Sequence, residues 1–218
     1  MIKLFSSLRW SVFFIGLLIF SFGITMTINV QYLGLSPWDV LNVAFFERVG
    51  LSIGSWNIII SIMLIIVSWV LDKSYIKIGT FFNAVLVGAF VDFYMWLDFL
   101  PVPSNTWVNV VLMIIGIVIM GFGGGMYNAA KVGSGPRDGF MLSISDKLGA
   151  PIGRVRIIAE SLVLVIGLFL GGPVFVFTFI FTFIQSPIFQ YFYLKISRRI
   201  DLVEQHRLNK KLPSNSAS

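Results

Sequence analysis

Long runs of uncharged, apolar residues dominate this chain and restrict what it can fold into. They cover about Trp10–Val30, Ser55–Leu71, Ile76–Leu97, Trp107–Ala129, Ile157–Leu170 and Val174–Leu194. Each equals or approaches the ~20 apolar residues that carry a helix across about 30 Å of hydrocarbon. The fifth run is the shortest and begins as early as Pro151 if Arg154 and Arg156 sit at the interface. Composition agrees: 57% of residues are hydrophobic and only 12% charged, too few to cover a globule in water. The first run follows Lys3 and Arg9 as a signal peptide would. It is too long for one and lacks a small-x-small cleavage pattern before Gln31, so it reads as a retained span.

Charge placement orients the spans. With six helices and a cytoplasmic N-terminus, Lys3, Arg9, Lys73, Lys77, Lys131, Arg137, Lys147, Arg154 and Arg156 all face the cytoplasm. So do Lys195, Arg198, Arg199, Arg207, Lys210 and Lys211, which leaves Arg48 alone outside. Dropping one helix would invert every later loop and destroy this segregation. Both termini are therefore expected in the cytoplasm, with the chain crossing the membrane several times. The same bias explains the net charge of +6 without a nucleic-acid partner.

Several chemistries are excluded. The chain has no cysteine and one histidine, His206 in the polar tail, which removes disulfides and Cys- or His-based metal sites. No nucleophile is paired with a base and no phosphate-binding loop occurs. The Gly121–Gly125 stretch lies inside an apolar run rather than at a strand–turn–helix junction. The expectation is a protein without cofactor or metal that is not an enzyme.

An internal repeat organises the chain. Gly34-Leu35-Ser36-Pro37-Trp38-Asp39 parallels Gly133-Ser134-Gly135-Pro136-Arg137-Asp138 at an offset of 99. Glu47-Arg48-Val49-Gly50 parallels Asp146-Lys147-Leu148-Gly149, and Ile53-Gly54 parallels Ile152-Gly153. With one residue deleted, Thr80-Phe81 pairs with Thr178-Phe179, and Asp92 stands opposite Gln190. The halves are residues 1–99 and 100–194, followed by a basic polar tail, 195–218. Three spans per half force opposite orientations, so the expected fold is all-α, two inverted three-helix repeats. Many secondary transporters are built this way.

In each copy Pro can open a short helix, since its missing N–H costs nothing at the first position. Asp39 and Asp138 then sit near the positive helix end, and Ser36 completes a capping-box-like start. The helices run about Pro37–Arg48 and Pro136–Lys147 and stop at Gly50 and Gly149. They are too short to span, and lie at the interface or re-enter the membrane. Two readings compete: capped structural hairpins, or helix ends that meet near the midplane and hold an anionic group. Arg137 is the better anion ligand, and Trp38 at its counterpart makes the two mouths chemically unequal.

Ionisable groups inside spans are costly and mark cavities or partners. Asp92 lies near the outer end of the third span, with Asn57 among its prospective partners. Glu160 stands four residues after Arg156 and can pair with it. Asn83, Asn128 and Gln185 are candidate buried polar groups, and Gly88 and Gly121–Gly125 favour close helix packing or a point of movement. Pro37, Asp39, Asp92, Pro136, Arg137, Asp138, Arg156 and Glu160 are the candidate substrate or ion residues, with Asp92 or Glu160 coupling an ion. The partners expected are the lipid bilayer, an unidentified small solute, and a second copy or another membrane protein. The competing expectation is an accessory scaffold.

Gly34 to Asp39, Gly79-Thr80 with Gly88 and Asp92, Gly133 with Gly135 to Gly139, and Arg156 with Glu160 together resemble the YczE-like family of bacterial integral membrane proteins (the YczE/YyaS/YitT grouping). The likeness runs to about Tyr193, and Phe177-Thr178 departs from the Gly-Thr usual before the last helix. It implies a multi-pass protein of the bacterial plasma membrane and no particular activity.

Overall fold

The computed structural model describes residues 2–72, 76–98, 100, 106–150 and 152–211, and over these the chain is entirely helical. The loop residues Lys73, Ser74, Pro101, Pro103 and Pro151, as well as the side chains of Lys3, Arg207, Lys210 and Lys211, lie outside that description. In chain order the helices are α1 (Ile2–Asn29), α2 (Pro37–Val49), α3 (Ile53–Leu71), α4 (Ile78–Leu97), α5 (Thr106–Ala129), α6 (Pro136–Leu148), α7 (Ile152–Phe169) and α8 (Val176–Lys211). A short 3-10 turn, Gln31–Leu33, follows α1. Among the described residues four helices are long and apolar enough to cross a membrane: Ser7–Asn29, Ile53–Leu71, Ile78–Leu97 and Trp107–Ala129. α7 carries Arg154, Arg156 and Glu160 within 18 residues, which dilutes its apolar character.

The short helices begin and end where capping chemistry requires. Ser36 is the N-cap of α2 and accepts from the Asp39 N–H at 3.3 Å, while its own hydroxyl donates to Asp39 Oδ2 at 2.5 Å. Gly50 and Gly149 end α2 and α6 at positive φ, a region open to glycine at little cost. The last helix differs from expectation. It does not stop near Leu194 but continues through the basic segment to Lys211, with Pro187 inside it. Hydropathy falls there, yet Ile200 is buried and keeps the extension on the bundle.

α1 and α5 form the centre and cross antiparallel through glycine. Gly16 lies against Tyr127, Gly23 against Met120 and Gly116, and Gly123 against Phe20 and Gly16. Missing side chains let the two backbones approach, the packing mode favoured where lipid supplies no hydrophobic drive between helices. Gly116 and Gly123 follow Gly16 and Gly23 by 100 residues, an extension of the repeat into the first helices. α4 runs parallel to α1, with Phe82 on Trp10 and Phe14, and Tyr94 on Phe22. α8 runs parallel to α5, with Gly121 on Ile188 and Gly125 on Tyr193. α2 packs on α7 as α6 packs on α3, and α2 meets α3 as α6 meets α7. One pairing breaks the pattern: α3 lies along α4 through Gly88 and Ile58, whereas α7 and α8 make no comparable contact among the described residues.

Each end of the bundle has its own fastening. At one end Arg9 donates to both oxygens of Glu204 at 2.7 Å, to Asp201 at 3.2 Å and to the Ala130 carbonyl at 3.1 Å. Lys131 joins Asp201 at 3.0 Å, so α1, α5 and the α8 extension are held together. At the other end Arg48 Nε donates to the Leu170 carbonyl at 2.6 Å and closes the last turn of α7. Asp92 accepts from the Gly54 N–H at 2.8 Å and from the Ser52 hydroxyl, and so caps α3.

Candidate functional site

The two proline-led helices start at a common place. Ser36, Pro37 and Trp38 of one motif, and Gly135, Pro136, Arg137 and Asp138 of the other, line a single cavity of about 100 Å³. Asn57, Ser61, Asn83, Tyr127, Arg156, Glu160 and Gln185 supply the rest of its polar wall. The linings correspond across the repeat. Trp38 and Arg137, Asn57 and Arg156, and Ser61 and Glu160 are each 99 residues apart; Asn83 and Phe181, and Val87 and Gln185, are 98 apart. In those first three pairs the charged member always belongs to the second half.

Arg137 is the hub. Its Nη2 donates to Asn57 Oδ1 at 2.7 Å and stands 3.6 Å from Asp39 Oδ1, and its guanidinium lies 5.3 Å above the Trp38 ring. Asp39 has a side chain only 1% exposed, so its charge depends on Arg137, Ser36 and the helix end. Arg156 bridges Asp138 at 2.9 Å and Glu160 at 3.5 Å. Two cations thus face two carboxylates across the cavity, with Asp39 a third acid behind Arg137. Arg137 and Arg156, counted with the cytoplasmic loops from sequence, belong to this interior wall.

Two donors in this wall have no hydrogen-bond partner among the described residues: Trp38 Nε1 and Asn83 Nδ2, on residues 6% and 5% exposed. The helix starts also differ. The Ser36 hydroxyl closes α2, whereas Gly135 offers α6 no side-chain cap.

A vestibule of about 460 Å³ extends the cavity toward the Arg9 end. It shares Asp138, Met141, Arg156 and Phe189 with the cavity and reaches Lys77, Lys131 and Ser134. Toward the other end the first motif is packed shut, with the Leu35 N–H donating to Thr178 Oγ1 at 3.1 Å. A Cβ on Gly34, whose φ is +120°, would lie 2.6 Å from the Thr178 nitrogen. Its counterpart Gly133 lies equally close to Thr80, the residue that corresponds to Thr178.

Of the residues singled out from sequence, Pro37, Pro136, Arg137, Asp138, Arg156 and Glu160 line the cavity, and Asp39 joins through Arg137. Asp92 does not: it caps α3 instead, and Asn57 accepts from Arg137. Asn128 is turned back onto the Gly124 carbonyl, 3.0 Å away. Tyr127 went unrecognised in the sequence because an aromatic in an apolar run carries no signal of its own. On the far side of Trp38, α2, α3, α6 and α7 together line an apolar groove of about 470 Å³.

A helical bundle with apolar outer faces and a charged cavity in its interior defines an integral membrane protein. The chain belongs to the family described as "Family of unknown function (DUF6198)", whose pattern covers residues 7–194. It is 36% identical over 167 residues to "Uncharacterized membrane protein YczE" of Bacillus subtilis (strain 168), covering 77% of each chain. It is 28% identical over 204 residues to "Uncharacterized protein YyaS" of the same organism, covering 93% of this chain and 98% of that one. An "Uncharacterized protein" of Haemophilus influenzae is 30% identical over 166 residues, 76% of this chain and 75% of that one. No solved structure matches.

Proposed function

We propose that this chain is a small secondary transporter of the bacterial plasma membrane that binds its solute in the Arg137 cavity. On this reading it spans the bilayer six times as two inverted three-helix repeats, with both termini in the cytoplasm. It is a carrier, not an enzyme. The cavity carries the proposal: two helix starts from opposite halves converge on one charged pocket deep in an apolar bundle, the position at which repeat-built transporters bind.

Three further observations support the architecture. α1 and α5 cross antiparallel on their shared glycines, as the first helices of two inverted halves would. Leu35 engages Thr178 while Gly133 abuts Thr80, so each motif loop touches the other half's last helix. Basic residues outside the cavity also gather at the Arg9 end, which favours a cytoplasmic position for that end. The vestibule then opens to the cytoplasm in this conformation, and an outward-open state would exchange the roles of the Leu35 and Ser134 loops. The test is uptake or efflux by the purified protein in liposomes, with the solute chosen by comparing metabolites of deletion and wild-type cells. Arg137→Ala and Asp138→Asn should abolish movement while leaving folded protein; if they only lower folded yield, the motif is structural.

The apolar groove favours a second reading, an accessory protein that seats a partner's transmembrane helix between α3 and α7. Stoichiometric co-purification of one membrane partner, with no change in any solute on deletion, would replace transport by this role.

A further inference from the structure

We infer that the charged cavity and the apolar groove are two parts of one site, which takes a single-chain amphiphile: an ammonium head, an oxygen acceptor beside it and a hydrocarbon tail. The inference rests on the transporter reading and narrows its substrate. The two spaces share a wall. Trp38 lines both, and along α3 and α7 the residue before each polar cavity residue faces the groove. Trp56 precedes Asn57, Ile60 precedes Ser61, Val155 precedes Arg156 and Ala159 precedes Glu160. Consecutive helical residues point about 100° apart, so the polar and apolar spaces lie side by side along both helices.

Size, charge and one buried donor identify the occupant. The groove, about 470 Å³, is more than four times the cavity of about 100 Å³, which suits a small head on a larger apolar tail. Met63 and Leu162, equivalent across the repeat, stand on its rim 60% exposed, so a chain can enter sideways from a bilayer. Asp39 pairs with Arg137 at 3.6 Å, while Asp138 and Glu160 share Arg156 at 2.9 and 3.5 Å. Three carboxylates thus meet two guanidinium groups. Asp39 and Asp138 also stand in the first turns of α2 and α6, where the helix dipole favours an acid; Glu160, midway along α7, lacks that help. An ammonium group beside Glu160 completes the balance, and an anionic head would widen the imbalance. At the seam, Trp38 Nε1 has no hydrogen-bond partner among the described residues, on a residue only 6% exposed. An indole has an apolar body and one polar donor, and an oxygen at the head–tail junction would meet that donor. A partner's transmembrane helix would fill the groove and leave both the charge and the Trp38 donor unmet.

The test is photo-crosslinking of the full chain in phosphatidylcholine nanodiscs with a dodecyl amino alcohol that carries a diazirine in its chain. Cross-links are expected on the groove walls, above all near Met63 and Leu162. Excess unlabelled amino alcohol should displace them. The matching diol and hydroxy acid, which keep chain and hydroxyl but replace ammonium by a neutral or anionic group, should not. Glu160→Gln should weaken displacement by the amino alcohol about tenfold, as for one hydrogen bond to an ionised group. Lys195→Gln, on the exposed side of α8, should leave it unchanged. The comparison of competitors on the wild-type chain decides the head charge even if Glu160→Gln fails to fold. Cross-links spread over every lipid-facing helix, equal displacement by the diol or hydroxy acid, or undiminished competition in folded Glu160→Gln would overturn the inference. So would a co-purified helix that holds the groove against the probe. Saturable groove labelling without movement of the amino alcohol into liposomes would instead sink the transporter reading alone. Movement of another solute, with no groove labelling, would sink the amphiphile site alone.

Discussion

At the scale of single residues, Arg137 carries more than any other side chain. It holds Asn57, neutralises buried Asp39 and stacks on Trp38. Replacing it by Ala strands Asp39, and leaving a buried group unsatisfied costs about 1–3 kcal/mol. Arg137→Ala should therefore lower the thermal unfolding midpoint as well as activity. Arg137→Lys separates the two effects: a point charge still neutralises Asp39 but cannot donate as a planar fork or stack on indole. Activity should fall while the unfolding midpoint stays within a few degrees of wild type, and an equal loss of both in Lys and Ala variants would contradict this role.

At the scale of elements, the bounds of the two short helices were written plainly in the sequence, because Ser36, Pro37, Gly50, Pro136 and Gly149 act locally through caps and backbone freedom. The same locality explains what was hidden. Arg9 pairs with Asp201 and Glu204 across 192 and 195 positions, and no neighbouring residue announces that partnership. Hydropathy likewise ended the last helix near Leu194, although the extension carries Ile200 and two acids on the side that meets α1 and α5. The repeat predicts a shared sensitivity for two loop glycines. Gly34→Ala meets both a positive φ and the Thr178 backbone, and Gly133→Ala meets Thr80 at 2.5 Å. Both should sharply lower the yield of monodisperse protein in size-exclusion chromatography, whereas Gly50→Ala, with open space around its Cβ, should cost far less despite its φ of +86°.

At the scale of the whole molecule, the Arg9 fastening makes stability depend on acid. The Asp201 carboxyl is held below its usual range, chiefly by the hydrogen bond from Lys131 and also by Arg9. A depressed acid stabilises the fold above its unfolded pKa of about 3.9 and loses that contribution as pH falls through the folded value. The unfolding midpoint of Asp201→Asn should thus trail wild type at neutral pH, and the gap should close as pH falls below the unfolded carboxyl's range; because Asp201 is half-exposed, the gap should be small. The proposed inversion of the halves has its own measurement. Single cysteines at Leu35 and Ser134 should react with an impermeant reagent from opposite sides of the membrane. Labelling of both from one side would rule the inversion out.

The stacking of Trp38 against Arg137 bears on how such a carrier would idle. Two chemically equal mouths would leave an empty carrier dividing its time evenly between the compartments. Here the second half holds both arginines and Glu160 where the first holds Trp38, Asn57 and Ser61. An energy difference of only about 1.4 kcal/mol between the two states already makes one ten times more populated. The resting door would then face a preferred side before any solute arrives, and the chain would behave as a rectifier. Exchanging the pair, Trp38→Arg with Arg137→Trp, should move the resting preference, read as a reversal in relative labelling rates at the two loop cysteines.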